Sequence, residues 1–164
     1  MDLINIYILT TNKGLQKKPT AGEYIIEVIH EGEIITYPPQ NKSTLLKEIN
    51  TGRIVVNKLL CNALYMLTKL TGLSYDHADV YIEPYTAAQP IMHHWINKWQ
   101  QDGWRDSKGN PIDETYKLVK EWIDKSVPLA FHADRHSYSD VMNRDLEKYQ
   151  TIENAINSIS ERSS

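Results

Sequence analysis

Trp95-Ile96-Asn97-Lys98-Trp99-Gln100-Gln101-Asp102-Gly103-Trp104, followed by Asp106-Ser107-Lys108-Gly109-Asn110-Pro111-Ile112, decides how the rest of the chain is read. Trp95 and Trp99 are one helical turn apart, so on a helix their rings share a face and pack it onto a sheet. Gly103 ends such a helix, and the Asp, Ser, Gly, Asn and Pro behind it are turn chemistry. Upstream, residues 89–101 read as one helix, with Pro90 tolerated in its first turn. Downstream, residues 113–126 form an amphipathic helix with Leu118, Trp122 and Ile123 inward. Pro128-Leu129-Ala130-Phe131-His132 is a short strand.

Towards the amino terminus the period of the apolar residues changes. Residues 3–10 alternate around Ile4, Ile6 and Ile8, a strand, and a polar loop covers 11–22. Residues 23–30 and 33–37 are β-rich runs around Glu31-Gly32, a hairpin, stopped by Pro38-Pro39. From about Arg53 the period is 3.6, with Val56, Leu59, Leu60, Ala63, Leu64 and Leu67 on one face and an end near Gly72. Residues 79–83 are a strand closed by Pro84. A last helix begins near Ser139 and carries Tyr149, Ile152, Ile156 and Ile159. Three strands, a helix, a strand, helices, a strand and a helix make an α/β chain with a mixed sheet between helices. Five strands are expected, with the first central and parallel to the fourth, and with helix 53–72 across them. Residues 1–150 form the domain; 151–164 continue the final helix into a frayed tail.

The 164 residues suffice for one core. Net charge is -3, so no global field draws the chain to nucleic acid or to an anionic membrane, and any such site is a local patch. Ten Tyr and four Trp against one Phe favour rings with a polar edge. Cys61, the one cysteine, lies in an apolar helical run and reads as a small core residue. The opening Met1-Asp2-Leu3-Ile4-Asn5 lacks a basic-then-apolar leader pattern and no apolar run approaches a span, so an intracellular, by default cytoplasmic, location is expected.

The Trp95–Trp104 block with Gly109-Asn110-Pro111-Ile112 resembles the helix and handle of bacterial ribonuclease H. There Trp recurs at this spacing before a Gly-Trp and a Lys-Pro-Val-like turn. Residues 6–12 with the hairpin resemble the family's first strand and its loop, and Asn143-Arg144-Asp145-Leu146 resembles its last helix. The likeness covers about residues 3–150. It implies a ribonuclease H-like fold and, in active members, cleavage of RNA in RNA–DNA hybrids through two divalent ions that flank the phosphate. Two hard dications need converging carboxylates, which the family places late in the first strand, early in the first helix, at the end of the fourth strand and in the last helix.

Carried over residue by residue, those positions fall on Thr11, after a matching Thr10; on Val55, or Asn57 by a two-residue slip; on Pro84, or Glu83 by a one-residue slip; and on Asp145. Thr and Asn bring no charge and Val no donor, so the resemblance implies a member that has lost two-metal hydrolysis. The remnant positions are Asp145, Glu83 and a loop histidine at His136 or His132, and no metal or other cofactor is expected. The alternative is an active ribonuclease H holding Mg²⁺ or Mn²⁺ at a rearranged site with Glu23, Glu48 or Asp140. His132 and His136 are four apart but leave a strand, so the spacing lacks helical geometry for a metal; His93 and His94 point different ways and read as surface.

In the family the loop after the first strand lies along the hybrid's minor groove. Here it carries Lys13, Lys17 and Lys18, and Arg53 and Lys58 near the start of the first helix extend the patch. The expected partner is therefore nucleic acid, an RNA–DNA hybrid or duplex held weakly, or else a nucleic-acid-handling protein met by the last helix. No membrane partner is expected. A third possibility is a phage or mobile-element interaction factor that uses only the fold.

Overall fold

The computed structural model describes residues 1–37 and 44–132. The expectations placed on Pro38-Pro39, on the last helix with Asp140 and Asp145, on His136 and on the tail 151–164 lie outside those residues.

Strand β1 (Leu3–Thr10) is central. It pairs antiparallel with β2 (Lys18–His30) and parallel with β5 (Ala78–Glu83), whose far edge is β6 (Leu129–His132). The path runs β3-β2-β1-β5-β6, the five strands expected, where β3 is Glu33–Tyr37. A sixth strand, β4 (Leu46–Asn50), pairs with the first half of β2. Its sequence, Leu-Lys-Glu-Ile-Asn, is polar at an edge and hides a strand. The β2–β3 turn has positive φ at Glu31 and Gly32, 51° and 80°, the handedness that matches strand twist in a two-residue hairpin.

Helix α1 (Gly52–Lys69) crosses one face. Ile4, Ile6, Ile8, Val80 and Ile82 from the strands meet Val56, Leu59, Leu60 and Leu64 there, all nearly or wholly excluded from water. Each such side chain contributes about 1.5–3 kcal/mol by burial. Helix α4 (Glu114–Lys125), capped by Asp113 Oδ1 accepting from the Thr115 amide, lies beside α1. Asn57, buried in α1, donates to Thr115 Oγ1 at 2.9 Å.

Leu118, expected inward on α4, is exposed, and Tyr116 and Val119 are the buried residues of that helix; two further sequence expectations change. The expected helix 89–101 is two, α2 (Tyr85–Met92) and α3 (Trp95–Gln101), because His94 adopts φ 60° between them. Pro90 sits inside α2 rather than in a first turn. Strand β2 begins at Lys18, not at Glu23. Pro19 and Gly22 look like loop residues, yet a Cβ on Gly22 would stand 2.6 Å from Leu9 O and 2.7 Å from Leu59 Cδ1. The glycine lets α1 press on the strand. Among the described residues no helix is long and apolar enough to cross a membrane.

Candidate functional site

Ligands of open α/β sheets bind beyond the carboxyl ends of the parallel strands; here those ends are Thr10 of β1 and Glu83 of β5. The loop leaving β1 is anchored by Asn12, which is fully buried. Its Nδ2 donates to Gln16 O (3.0 Å), Thr20 Oγ1 (3.0 Å) and Asn50 O (3.1 Å), and its Oδ1 accepts from the Gly14 amide (3.0 Å). The same carbonyl of Asn50 precedes the α1 cap, where Thr51 Oγ1 accepts from the Ile54 amide. Gly52 backs onto the loop so closely that a Cβ would lie 2.0 Å from Asn12 O. Loop, β4 and the start of α1 are thus one rigid corner.

Of the carry-over positions, Thr11, Val55, Glu83 and Pro84 lie among the described residues, and Asp145 lies outside them. Thr11 is tied to β2: its Oγ1 accepts from the Ala21 amide at 3.1 Å. Thr10 lies on the α1 side of the sheet opposite Gly22, and its Oγ1 accepts from the Asn12 amide. Val55 is fully buried, its Cγ1 3.1 Å from the place a Gly22 Cβ would take. Pro84 caps α2 after a cis peptide bond. Glu83 pairs in register with Leu9, which pairs with Glu23. Successive strand residues face opposite ways, so this row belongs to the face that α1 does not cover. The slip that rescues a carboxylate also turns it to the other side of the sheet. Thr, Val and Pro do not fit a pair of hard dications, and among the described residues no three His, Cys, Asp or Glu side chains are grouped to hold a metal.

Other candidates are engaged elsewhere. Glu48 and Lys58 form an ion pair at 2.7 Å; burial alone would raise the Glu48 carboxyl, but hydrogen bonds from Lys58 and Asn50 outweigh it and hold it low. Lys58 thus ties α1 to β4 while its side chain stays partly exposed. His132, the last residue of β6, stacks on Tyr81 (4.6 Å) and meets Asp79 Oδ1 at 2.8 Å, on the second face and level with Tyr81, two residues before the end of β5. Cys61 is half-buried, and burial pushes its thiol up to about 11, which makes it inert.

Of the basic residues, Lys13 and Arg53 are tied to the same residue, Thr86. Lys13 and Lys17 are exposed on the loop, whereas Lys18 is exposed as the first residue of β2. Lys13 O accepts from Thr86 Oγ1 (2.7 Å), joining the loop to α2. Arg53 Nε donates to Thr86 O (3.2 Å) and its Nη2 to Gln89 Oε1 (3.1 Å). The Arg53 guanidinium lies 5.6 Å from the centroid of Trp95, which is 39% exposed. Trp95 makes edge contact with Trp99, and Trp99 with Tyr116, so the outer ring rests on the core through two others. Burial pushes the Tyr116 hydroxyl up to about 12, against the pull of the Arg53 charge. Reading Trp95 and Trp99 as packing residues alone missed the exposed half of this ladder. The signal available in sequence was Arg53 itself, a cation at the start of the helix facing the Trp block.

No protein-family model matches the chain, and no curated protein matches it. Solved structures do. The N-terminal RNase H domain of rv2228c from Mycobacterium tuberculosis superposes with a TM-score of 0.53 at 11% identity, over 99% of both chains. LC9-RNase H1, a type 1 RNase H with the type 2 active-site motif, gives 0.55 at 14% identity, over 82% of this chain and 64% of that one. This chain thus spans less than two thirds of its length. The foamy viral protease–reverse transcriptase in complex with an RNA/DNA hybrid gives 0.61 at 10% identity, over 86% of this chain and 18% of that one. With β1 central and parallel to β5, α1 across the sheet and these superpositions, the chain has the ribonuclease H fold.

Proposed function

We propose that the chain binds nucleic acid, with an RNA–DNA hybrid as the first ligand to test, and does not cleave it by the two-metal route. The observation that carries the reading is Arg53 lying over the exposed ring of Trp95, tied through Thr86 to the loop that bears Lys13 and Lys17. Lysines and an arginine meet phosphates, and an exposed indole meets a base or sugar by stacking. The likeness to a fold seen with a hybrid bound supports the choice of ligand. Thr11, Val55 and Pro84 at the carry-over positions support the loss of the metal pair.

The reading separates two kinds of contact. Trp95→Ala should weaken hybrid binding by about 1–3 kcal/mol per base stacked and leave the salt dependence unchanged. Changing Lys13, Lys17 and Lys18 together to Ala should weaken binding evenly across sequences and flatten the log–log salt slope by roughly 0.7–0.9 for each phosphate no longer neutralised. Fluorescence anisotropy on a labelled hybrid at several salt concentrations, with folding checked by circular dichroism, reads both. Folded variants that bind like the parent would remove this surface from the site.

A further inference from the structure

We infer that Tyr85 is a nucleophile towards phosphodiesters and His93 its general base, a metal-independent transesterification centre that rests on the nucleic-acid reading above. Tyr85 is the first residue of α2, immediately beyond the carboxyl end of β5. Its hydroxyl is hydrogen-bonded to His93 Nε2; in the neutral tautomer that carries its proton on Nδ1 the phenol donates and the imidazole accepts. A nucleophile bonded to an adjacent base is the arrangement that activates weak hydroxyl nucleophiles. Trp95 flanks the base, its ring 6.0 Å from that of His93 at an interplanar angle of 25°.

The cation such a step needs is next door. Arg53 binds the carbonyl of Thr86, the neighbour of Tyr85, and lies over the same Trp95. A guanidinium there would neutralise a phosphate held beside the phenol and the charge that builds on it in the transition state. Tyr85 and His93 are both exposed, and neither belongs to the hydrophobic core. Packing of the core therefore does not account for the pair.

The step balances without a metal or a further reactant. Tyr85 Oη attacks phosphorus and forms a phosphotyrosyl ester while the bond from phosphorus to one sugar oxygen breaks. The phenol proton passes to His93 Nε2 and from there to the departing sugar oxygen. The phosphodiester charge is unchanged, and the reverse reaction regenerates the strand.

The test uses the full chain with an RNA–DNA hybrid and with its free DNA strand, each ³²P-labelled at one end or the other, in EDTA. Samples are denatured in detergent before electrophoresis, and parallel gel shifts record binding. Label migrating with the denatured protein is expected, and the end that carries it identifies the oxygen that leaves. Tyr85→Phe, which keeps the ring, should abolish the adduct; His93→Ala should slow its formation by about 10²–10⁴-fold. Binding without any adduct in the parent protein would overturn the inference and leave the binding reading standing. Neither binding nor adduct would overturn both. An adduct that persists in Tyr85→Phe would overturn the assignment of the nucleophile.

Discussion

Replacing Val55 with Glu restores the carboxylate that the resemblance expects early in the first helix, and the structure says what it will meet. Val55 is fully buried against Leu59 and the glycine at position 22, whose Cβ would stand 3.1 Å from Val55 Cγ1. Overfilling that contact costs about 1–3 kcal/mol. A carboxyl buried there has its pKa raised by as much as ~3–5 units, and at ~1.4 kcal/mol for each unit between the unfolded value and the working pH this adds roughly 3–4 kcal/mol at neutral pH. Together these rival the total stability of an ordinary domain, about 5–15 kcal/mol. Because the folded pKa is raised, the folded state holds the extra proton. The penalty is therefore small below the unfolded value near 4.3 and grows as pH climbs towards the folded value. Urea titrations of parent and variant at pH 5 and pH 8, with and without Mg²⁺, measure this. We expect a loss of at least about 3 kcal/mol at pH 8, a smaller one at pH 5, and no rescue by Mg²⁺. A loss under about 1 kcal/mol that is flat with pH, or a gain on adding Mg²⁺, would show that Val55 borders an open metal site and that the reasoning is wrong.

Asn12→Ala removes four hydrogen bonds from a fully buried side chain and leaves Thr20 Oγ1 as the remaining side-chain donor to Asn50 O. It should cost about 2–4 kcal/mol, read by urea denaturation, and should weaken hybrid binding in the folded fraction by loosening the loop. Asp2 bridges the Ser74 amide and His30 Nδ1, which holds the Asp2 carboxyl below its ordinary range and raises His30 above 6.5. The His30 contribution is present below the unfolded histidine value and fades as pH rises through the folded one; the Asp2 contribution is present above the unfolded carboxyl value and fades as pH falls through the lowered one. An NMR titration should find His30 titrating above 6.5 in the parent and lower in Asp2→Asn; equal midpoints would exclude the bridge.

The fold was largely legible because its signals are periodic. Ile4, Ile6 and Ile8 alternate, the α1 face repeats every three and four residues, and Glu31-Gly32 carries the backbone that a tight hairpin needs. Edge strand β4 was not legible, since Lys47 and Glu48 interrupt its only apolar residues. The break at His94 was equally hidden, as neither histidine is a helix breaker by itself; the left-handed turn arises where α2 and α3 pack on different neighbours. At the site, identity was readable but facing was not. Glu83 lies one residue from the expected position, and in a strand one residue is the difference between the two faces of the sheet. Lys58 looked like a free cation until the ion pair with Glu48, which needs β4 in place, accounted for it.

Incubating the protein with an RNA–DNA hybrid labelled on the RNA, in Mg²⁺, in Mn²⁺ and in EDTA, tests the central claim most directly when bound and cleaved hybrid are measured in the same samples. The account predicts a salt-sensitive complex in all three conditions, with the RNA free of metal-dependent hydrolysis. Short RNA products that appear with Mg²⁺ or Mn²⁺ and vanish in EDTA would contradict it.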